Sequence, residues 1–152
     1  MKKIVCLLTL IASFFSCGSS SSNDVRDFDA QNQADIIKYI ADNNLKATKT
    51  ESGLYYVVNK EGSGAKPVSN SQVTVAYKGY FLNGNVFDQN SNGISFNLQQ
   101  VIAGWTEGIT YFKEGGEGML LVPSKLGYGS KNRSRIPGGS VLIFDIKLLK
   151  VK

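Results

Sequence analysis

The spacing of apolar residues changes several times along the chain, and each change predicts a different element. The first apolar run, Ile4 to Phe15, is unbroken and follows Lys2 and Lys3. It is too short to span a bilayer and has the basic-then-apolar order of a secretory signal. Within residues 29–44, Ala34, Ile36, Ile37, Ile40 and Ala41 recur at helical spacing, and Asn43-Asn44 ends the pattern. Leu54 to Val58 is a run of β-formers. From Gln72 to Phe81 the period becomes two, with Val73, Val75, Tyr77, Gly79 and Phe81 on one face. Asn83-Gly84 predicts a hairpin turn that returns the chain through Val86-Phe87-Asp88. Residues 89–93 read as a polar loop, after which Ile94, Phe96 and Leu98 alternate again.

The period then lengthens once more. Leu98, Val101, Ile102, Trp105, Ile109 and Phe112 are separated by threes and fours and predict one apolar helical face. The stretch is short and carries Gly104 and Gly108. Such a helix is not stable alone in water, so it must dock the chain's single tryptophan on the strands around it. On periodicity alone Trp105 is a packing residue. Met119 to Val122 predicts a short buried strand ended by Pro123. Residues 124–140 form a long loop rich in Gly, Ser and basic residues, a length that often carries function. In Val141 to Val151, Leu142, Phe144, Ile146 and Leu148 make one face, opposite Asp145 and Lys147. Together these elements predict an α+β domain. A twisted antiparallel sheet with one apolar face wraps around one short helix. The 29–44 helix either packs on it or acts as a spacer.

Composition narrows the chemistry. The 152 residues contain 17 basic and 12 acidic side chains, and two of the basic ones lie in the apparent leader. The remainder is only mildly basic and has no dense Lys/Arg stripe with interleaved aromatics, which argues against a nucleic-acid partner. Histidine is absent, so no Ser-His or Cys-His nucleophile and no His-ligated metal site is available. Cys6 and Cys17 are the only cysteines. Neither a multi-cysteine metal site nor a disulfide framework follows from them.

Phe14-Phe15-Ser16-Cys17 resembles a bacterial lipobox, with Ser16 correctly small before the cut and Phe14 where leucine is preferred. The resemblance implies lipidation of Cys17 after removal of residues 1–16; ordinary secretion with cleavage elsewhere is the alternative. Gly18-Ser19-Ser20-Ser21-Ser22-Asn23-Asp24 is a flexible polar tether, and several acyl chains on one cysteine anchor stably where one does not. The expected organisation is a signal peptide over 1–16, a lipidated tether with the amphipathic helix over 17–50, and a domain over 51–152.

Several segments belong together: Val73 to Gly79, Gly84 to Asp88, Phe96 to Leu98, Val101 to Gly108, Gly127-Tyr128-Gly129, Ile136-Pro137, and Leu142 to Asp145. In order and spacing they resemble the successive motifs of the FKBP-type peptidyl-prolyl cis-trans isomerases, over about residues 53–152. The resemblance implies a site for proline-containing polypeptides and calls for no metal or cofactor. Tyr77, Phe87 and Phe144 would be aromatic walls and Trp105 the floor. Val101 and Ile102 would form an edge, with the Ile102 N–H binding a substrate carbonyl. Tyr128 would donate to a second carbonyl, Asp88 would sit beside Tyr77, and Ile136 would close one side. An FK506-type macrolide is the ligand class the family implies. The rim departs from the family: the loop after Asp88 is short and lacks an arginine, Ile94 replaces an aromatic, Gln100 replaces an acid, and Gly138-Gly139 follows Pro137. These changes bear on ligand preference.

A rotating X–Pro bond needs none of the groups this chain lacks. The barrier is about 18–20 kcal/mol because resonance stiffens the C–N bond, and spontaneous exchange takes roughly 10–100 s. An apolar pocket favours the twisted, less polar transition state over the planar imide. Reaching milliseconds requires about five decades, or about 7 kcal/mol. Asp88 is expected to orient Tyr77 without acting as a proton-transfer base; alternatively it only caps the hairpin end, and Tyr128 is only a packed loop aromatic. The expected activity is isomerisation of X–Pro bonds in extracytoplasmic proteins, from a lipid anchor in the cell envelope, periplasmic or at the outer membrane. The alternative is a proline-recognising binding or chaperone module with little turnover.

Overall fold

The computed structural model describes residues 27–152; the apparent leader, Cys17 and the serine-rich tether lie outside them. The elements run α1 (Asp29–Asp42), β1 (Thr48–Lys49), β2 (Tyr55–Lys60), β3 (Gln72–Tyr80), β4 (Val86–Asn97), α2 (Ala103–Gly108), β5 (Glu117–Val122) and β6 (Leu142–Val151). The strands form one sheet in the order β1-β2-β5-β6-β3-β4, every neighbouring pair antiparallel. The Asn83-Gly84 hairpin forms as the dipeptide predicts: Gly84 takes a φ of +84°, and the Phe81 N–H donates to Asn85 O.

The inner face of the sheet buries Leu54, Val73, Val75, Leu120, Val122, Leu142, Phe144, Ile146 and Leu148 against Trp105, Ile109 and Phe112. The 98–112 stretch is not one helix. A 3-10 turn over Leu98–Gln100 precedes α2, and another over Ile109–Tyr111 follows it. Between the first two, Val101 and Ile102 are extended. The side chain of Asn97 caps the first turn at Gln99 N, and Thr106 Oγ1 donates to Leu98 O at 2.6 Å, folding α2 back over it. The glycines that weaken α2 as a helix are what let it dock. A Cβ on Gly104 would lie 2.5 Å from Val122 Cγ1, and one on Gly108 2.7 Å from Leu120 Cδ1. The helix therefore sits on β5 at a separation closed to larger residues.

The sheet has two apolar faces at its β2–β5 end, not one. Along Leu54–Val58, Leu54, Tyr56 and Val58 turn inward, while Tyr55 and Val57 turn outward and join Ile36, Leu121 and Val141 in a second cluster. Helix α1 covers that outer face, with Ile36 fully buried. The helix thus packs on the sheet and is no spacer. The predicted loop at 89–93 is part of β4. On β3, Val75 pairs with Ile94 and Tyr77 with Asn90, so Ser91 to Gly93 stand opposite the single residue Ala76 and bulge from the strand with two residues in excess. Asn90 Oδ1 holds the bulge by accepting from Asn92 N and Gly93 N.

Candidate active site

Strands β3, β4 and β6, the start of α2 and the loop after β5 converge on a cavity of about 280 Å³. This lies just under the roughly 300–1,000 Å³ of pockets that hold drug-sized ligands. Its floor is Trp105, only 6% exposed. Tyr77 and Phe144 meet the indole nearly edge-on, with ring centroids at 4.9 and 5.1 Å and interplanar angles of 84° and 79°. Phe96 lies 5.4 Å away on another side. Edge-to-face contacts of this kind are the favoured geometry for ring quadrupoles, and they fix the indole plane.

Two features of the sheet aim the remaining walls. Gly79 pairs with Asp88 on one side and Phe144 on the other. A Cβ there would stand 2.7 Å from Phe87 Cζ and 2.9 Å from Phe144 Cε1, so the missing side chain admits the Phe87–Phe144 contact at 5.6 Å and 90°. Between Gly79/Asp88 and Tyr80/Val86 the register skips Phe87. Consecutive strand residues ordinarily face opposite sides. The bulge breaks that alternation, so Phe87 and Asp88 both line the same cavity.

At the mouth the Tyr77 hydroxyl donates to Asp88 Oδ2 at 2.6 Å. Burial, then the hydrogen bond and charge of Asp88, push the Tyr77 hydroxyl above its ordinary range. It therefore stays protonated and donating at any physiological pH. Tyr128, 38% exposed, lines the same cavity from the loop after β5, and among the described residues its hydroxyl has no hydrogen-bond partner. Ile102 caps α2 with its carbonyl, which accepts from Trp105 N and Thr106 N; among the described residues its own N–H is unpaired. Two donors without partners among the described residues thus belong to cavity-lining residues on separate elements.

Eight residues named from the sequence line the cavity together: Tyr77, Phe87, Asp88, Val101, Ile102, Trp105, Tyr128 and Phe144. Ile136 does not line it. It packs against the inner cluster from the loop tip, where its N–H and C=O pair with Arg133. Ile94 and Phe96 line the cavity without having been named as site residues. Their alternation with Leu98 marked the strand, but a partly buried aromatic on a strand carries no local sign of which cavity it walls. Cys17 lies outside the described residues. Among the described residues no cluster of three or more His, Cys, Asp or Glu side chains is placed to hold a metal ion.

Residues 63–149 match the family model described as FKBP-type peptidyl-prolyl cis-trans isomerase. A Buchnera aphidicola protein named FKBP-type peptidyl-prolyl cis-trans isomerase FkpA is 45% identical over 109 residues, covering 69% of this chain and 43% of its own length. The crystal structure of FkpA from Escherichia coli superposes with a TM-score of 0.73 at 37% identity, over 81% of this chain and 60% of that one. A peptidyl-prolyl cis-trans isomerase structure from Pseudomonas syringae gives 0.71 at 29% identity, over 83% of this chain and 96% of that one. The chain spans about half the length of the curated relatives it matches.

Proposed function

The chain belongs to the FKBP-type peptidyl-prolyl cis-trans isomerase family, and from that premise we propose that it isomerises X–Pro bonds in polypeptides. The observation that carries the reading is the aromatic cavity floored by a buried indole, with Tyr77, Tyr128 and the Ile102 N–H at its edge. A prolyl ring on Trp105 places its imide among apolar walls. Planar resonance puts charge on the imide oxygen that water would stabilise; losing that water favours the twisted state. The Ile102 N–H and the Tyr128 hydroxyl hold the flanking carbonyls. Asp88 fixes the Tyr77 hydroxyl, and no proton leaves either group during turnover. Val101 and Phe87 fill the sides. Such positioning plus desolvation is asked to supply about 7 kcal/mol.

The test is exchange of a proline tetrapeptide followed with the purified protein. Acceleration that rises with protein concentration supports the enzyme. A folded protein that binds the peptide and leaves its exchange at the spontaneous rate would make the chain a binding module instead. FK506-type macrolides are proposed as competitive ligands, with Ile94 and the short β4 bulge setting their affinity.

The proposed cellular setting is the bacterial envelope, with residues 1–16 removed, Cys17 lipidated, and the 51–152 domain, with α1 and β1 packed on it, carried on the segment that follows Cys17. The basic-then-apolar leader and Ser16-Cys17 support it. Cys17→Ser is expected to move the protein from the membrane fraction to the soluble envelope fraction. A variant that stays with the membrane refutes lipidation.

A further inference from the structure

Helix α1 and its connection to β2 precede the segment that matches the isomerase family. One residue of α1 is nevertheless tied to the candidate site. Asn32 is 2% exposed, although its side chain is polar. Its Nδ2 donates to Gly139 O at 2.9 Å, and its Oδ1 accepts from Ser124 N at 2.7 Å. Ser124 and Gly139 are the two feet of the long loop between β5 and β6. The backbone completes a closed circuit between them: Gly129 N donates to Ser124 O at 2.8 Å, and Gly139 N donates to Gly129 O at 2.9 Å. Gly129 is the residue after Tyr128.

We infer that Asn32 is a positioning residue for the isomerase site: it closes a four-residue hydrogen-bond ring that fixes Gly129, and through it Tyr128, at the rim. The inference rests on the isomerase reading of the cavity. The loop cannot make this closure alone, because neither Ser124 N nor Gly139 O meets a partner within it. A buried amide is suited to the task, since it donates and accepts at once. Neighbouring contacts hold Asn32 in place. Lys125 pairs with Asp29 at 2.8 Å, and Gln33 bridges Gly53 O and the Tyr55 hydroxyl. The loop tip is closed separately, by the paired Arg133 and Ile136 and by Asn132 Oδ1 on Gly138 N. Opening the ring therefore frees the Tyr128 segment without unfolding the tip. A rim competent only part of the time weakens apparent substrate affinity by that fraction, so the effect falls on KM.

Asn32→Asp keeps the acceptor for Ser124 and removes the donor to Gly139; Asn32→Ala removes both. In each, the amides of Gly129 and Gly139 are expected to exchange with solvent about tenfold faster, the worth of one hydrogen bond, while sheet amides at Leu120 and Phe144 are unchanged. KM for a proline peptide rises by the factor by which the competent fraction of the rim falls, about threefold where the rim is competent a third of the time, with kcat unchanged. In a Tyr128→Phe background the KM effect of Asn32→Asp disappears. Unchanged loop exchange overturns the inference, as does an equal rise in KM without the Tyr128 hydroxyl. In the unaltered protein the Ser124, Gly129 and Gly139 amides should share one opening free energy, read as exchange corrected for each residue's intrinsic rate and separate from that of Arg133 and Ile136. Independent opening free energies there overturn the ring even if neither variant folds, and that measurement does not depend on isomerase activity.

Discussion

Replacing Trp105 with leucine tests the desolvation argument directly, because it removes the floor while keeping the site apolar. The stability loss has opposing parts. Leucine buries about 70 Å² less apolar surface than the indole, worth about 2 kcal/mol. Three aromatic contacts, to Tyr77, Phe96 and Phe144, go with it; at about 1 kcal/mol each they add about 3 kcal/mol. Against this, among the described residues the indole Nε1 is buried with no partner, and deleting an unpaired buried donor returns about 2 kcal/mol. The net loss is about 3 kcal/mol, a fall of about 10 °C in Tm for a domain of this size. Catalysis falls separately. The void above leucine admits water, and water stabilises the planar imide more than the twisted one. A loss of at least tenfold in kcat/KM is expected, about 1.4 kcal/mol of the roughly 7 required. The assay is proline-peptide exchange at least 20 °C below the variant's Tm, beside an amide spectrum that reports the fold. A folded variant within twofold of the parent would show that the aromatic floor does not drive the reaction.

Other expectations concern groups at the mouth. Tyr77→Phe and Asp88→Ala each lose the 2.6 Å hydrogen bond, which at this exposed position is worth about 1 kcal/mol, or about fivefold in kcat/KM. The double variant should be no worse than either single; fully additive losses would mean the two groups act independently. Tyr128→Phe should lower kcat/KM without moving Tm, since the ring is 38% exposed; an unchanged rate removes Tyr128 from the site. Burial, first of all, raises the hydroxyls of Tyr77, Tyr80 and Tyr111 above their ordinary range, with Asp88, Asp145 and Glu107 adding to it. The folded state thus holds these protons more tightly than the unfolded chain. Stability is intact below about pH 10, where both states are protonated, and falls as pH climbs further. Melts from pH 8 to 11.5 should show Tm dropping only above pH 10, less steeply in Tyr80→Phe. A flat profile contradicts the shifts.

Much of the fold was legible because burial on one face imposes a period. Val73 to Phe81 and Leu142 to Leu148 alternate since their inner residues share a core, and the hairpin between β3 and β4 follows from what Asn-Gly can adopt. The failures occur where two periods overlap or one is interrupted. Leu54 to Val58 is apolar on both faces, so it shows no alternation and hides the surface that α1 covers. Ser91 to Gly93 is polar because it bulges outward, and polarity alone cannot separate a bulge from a loop. The helical spacing of Leu98 to Phe112 was real as a burial pattern, yet the backbone reaches it through two 3-10 turns and an extended break at Val101–Ile102. The site was legible mainly through the family resemblance. No spacing rule places Asp88 and Phe87 on one side of a strand, since only the register slip at Phe87 does so. Asn32 carried no signal, because its partners are backbone atoms 92 and 107 residues away.

These placements separate what the core and the site each require. Trp105 belongs to both: the contacts that hold the indole are contacts of the inner cluster, so no substitution there changes turnover without changing stability. Tyr77–Asp88 and Tyr128 lie where burial is partial, so their hydroxyls can be altered at little cost to the fold. The Ile102 N–H is a backbone group, and its direction follows from the extended φ and ψ at Val101 and Ile102 and from the Thr106 hydrogen bond that folds α2 behind them. The floor, the fixed donor and the adjustable rim therefore come from the core, from a helix start and from a clamped loop. Sequence change in the rim loop can alter substrate preference while the floor that excludes water stays as it is.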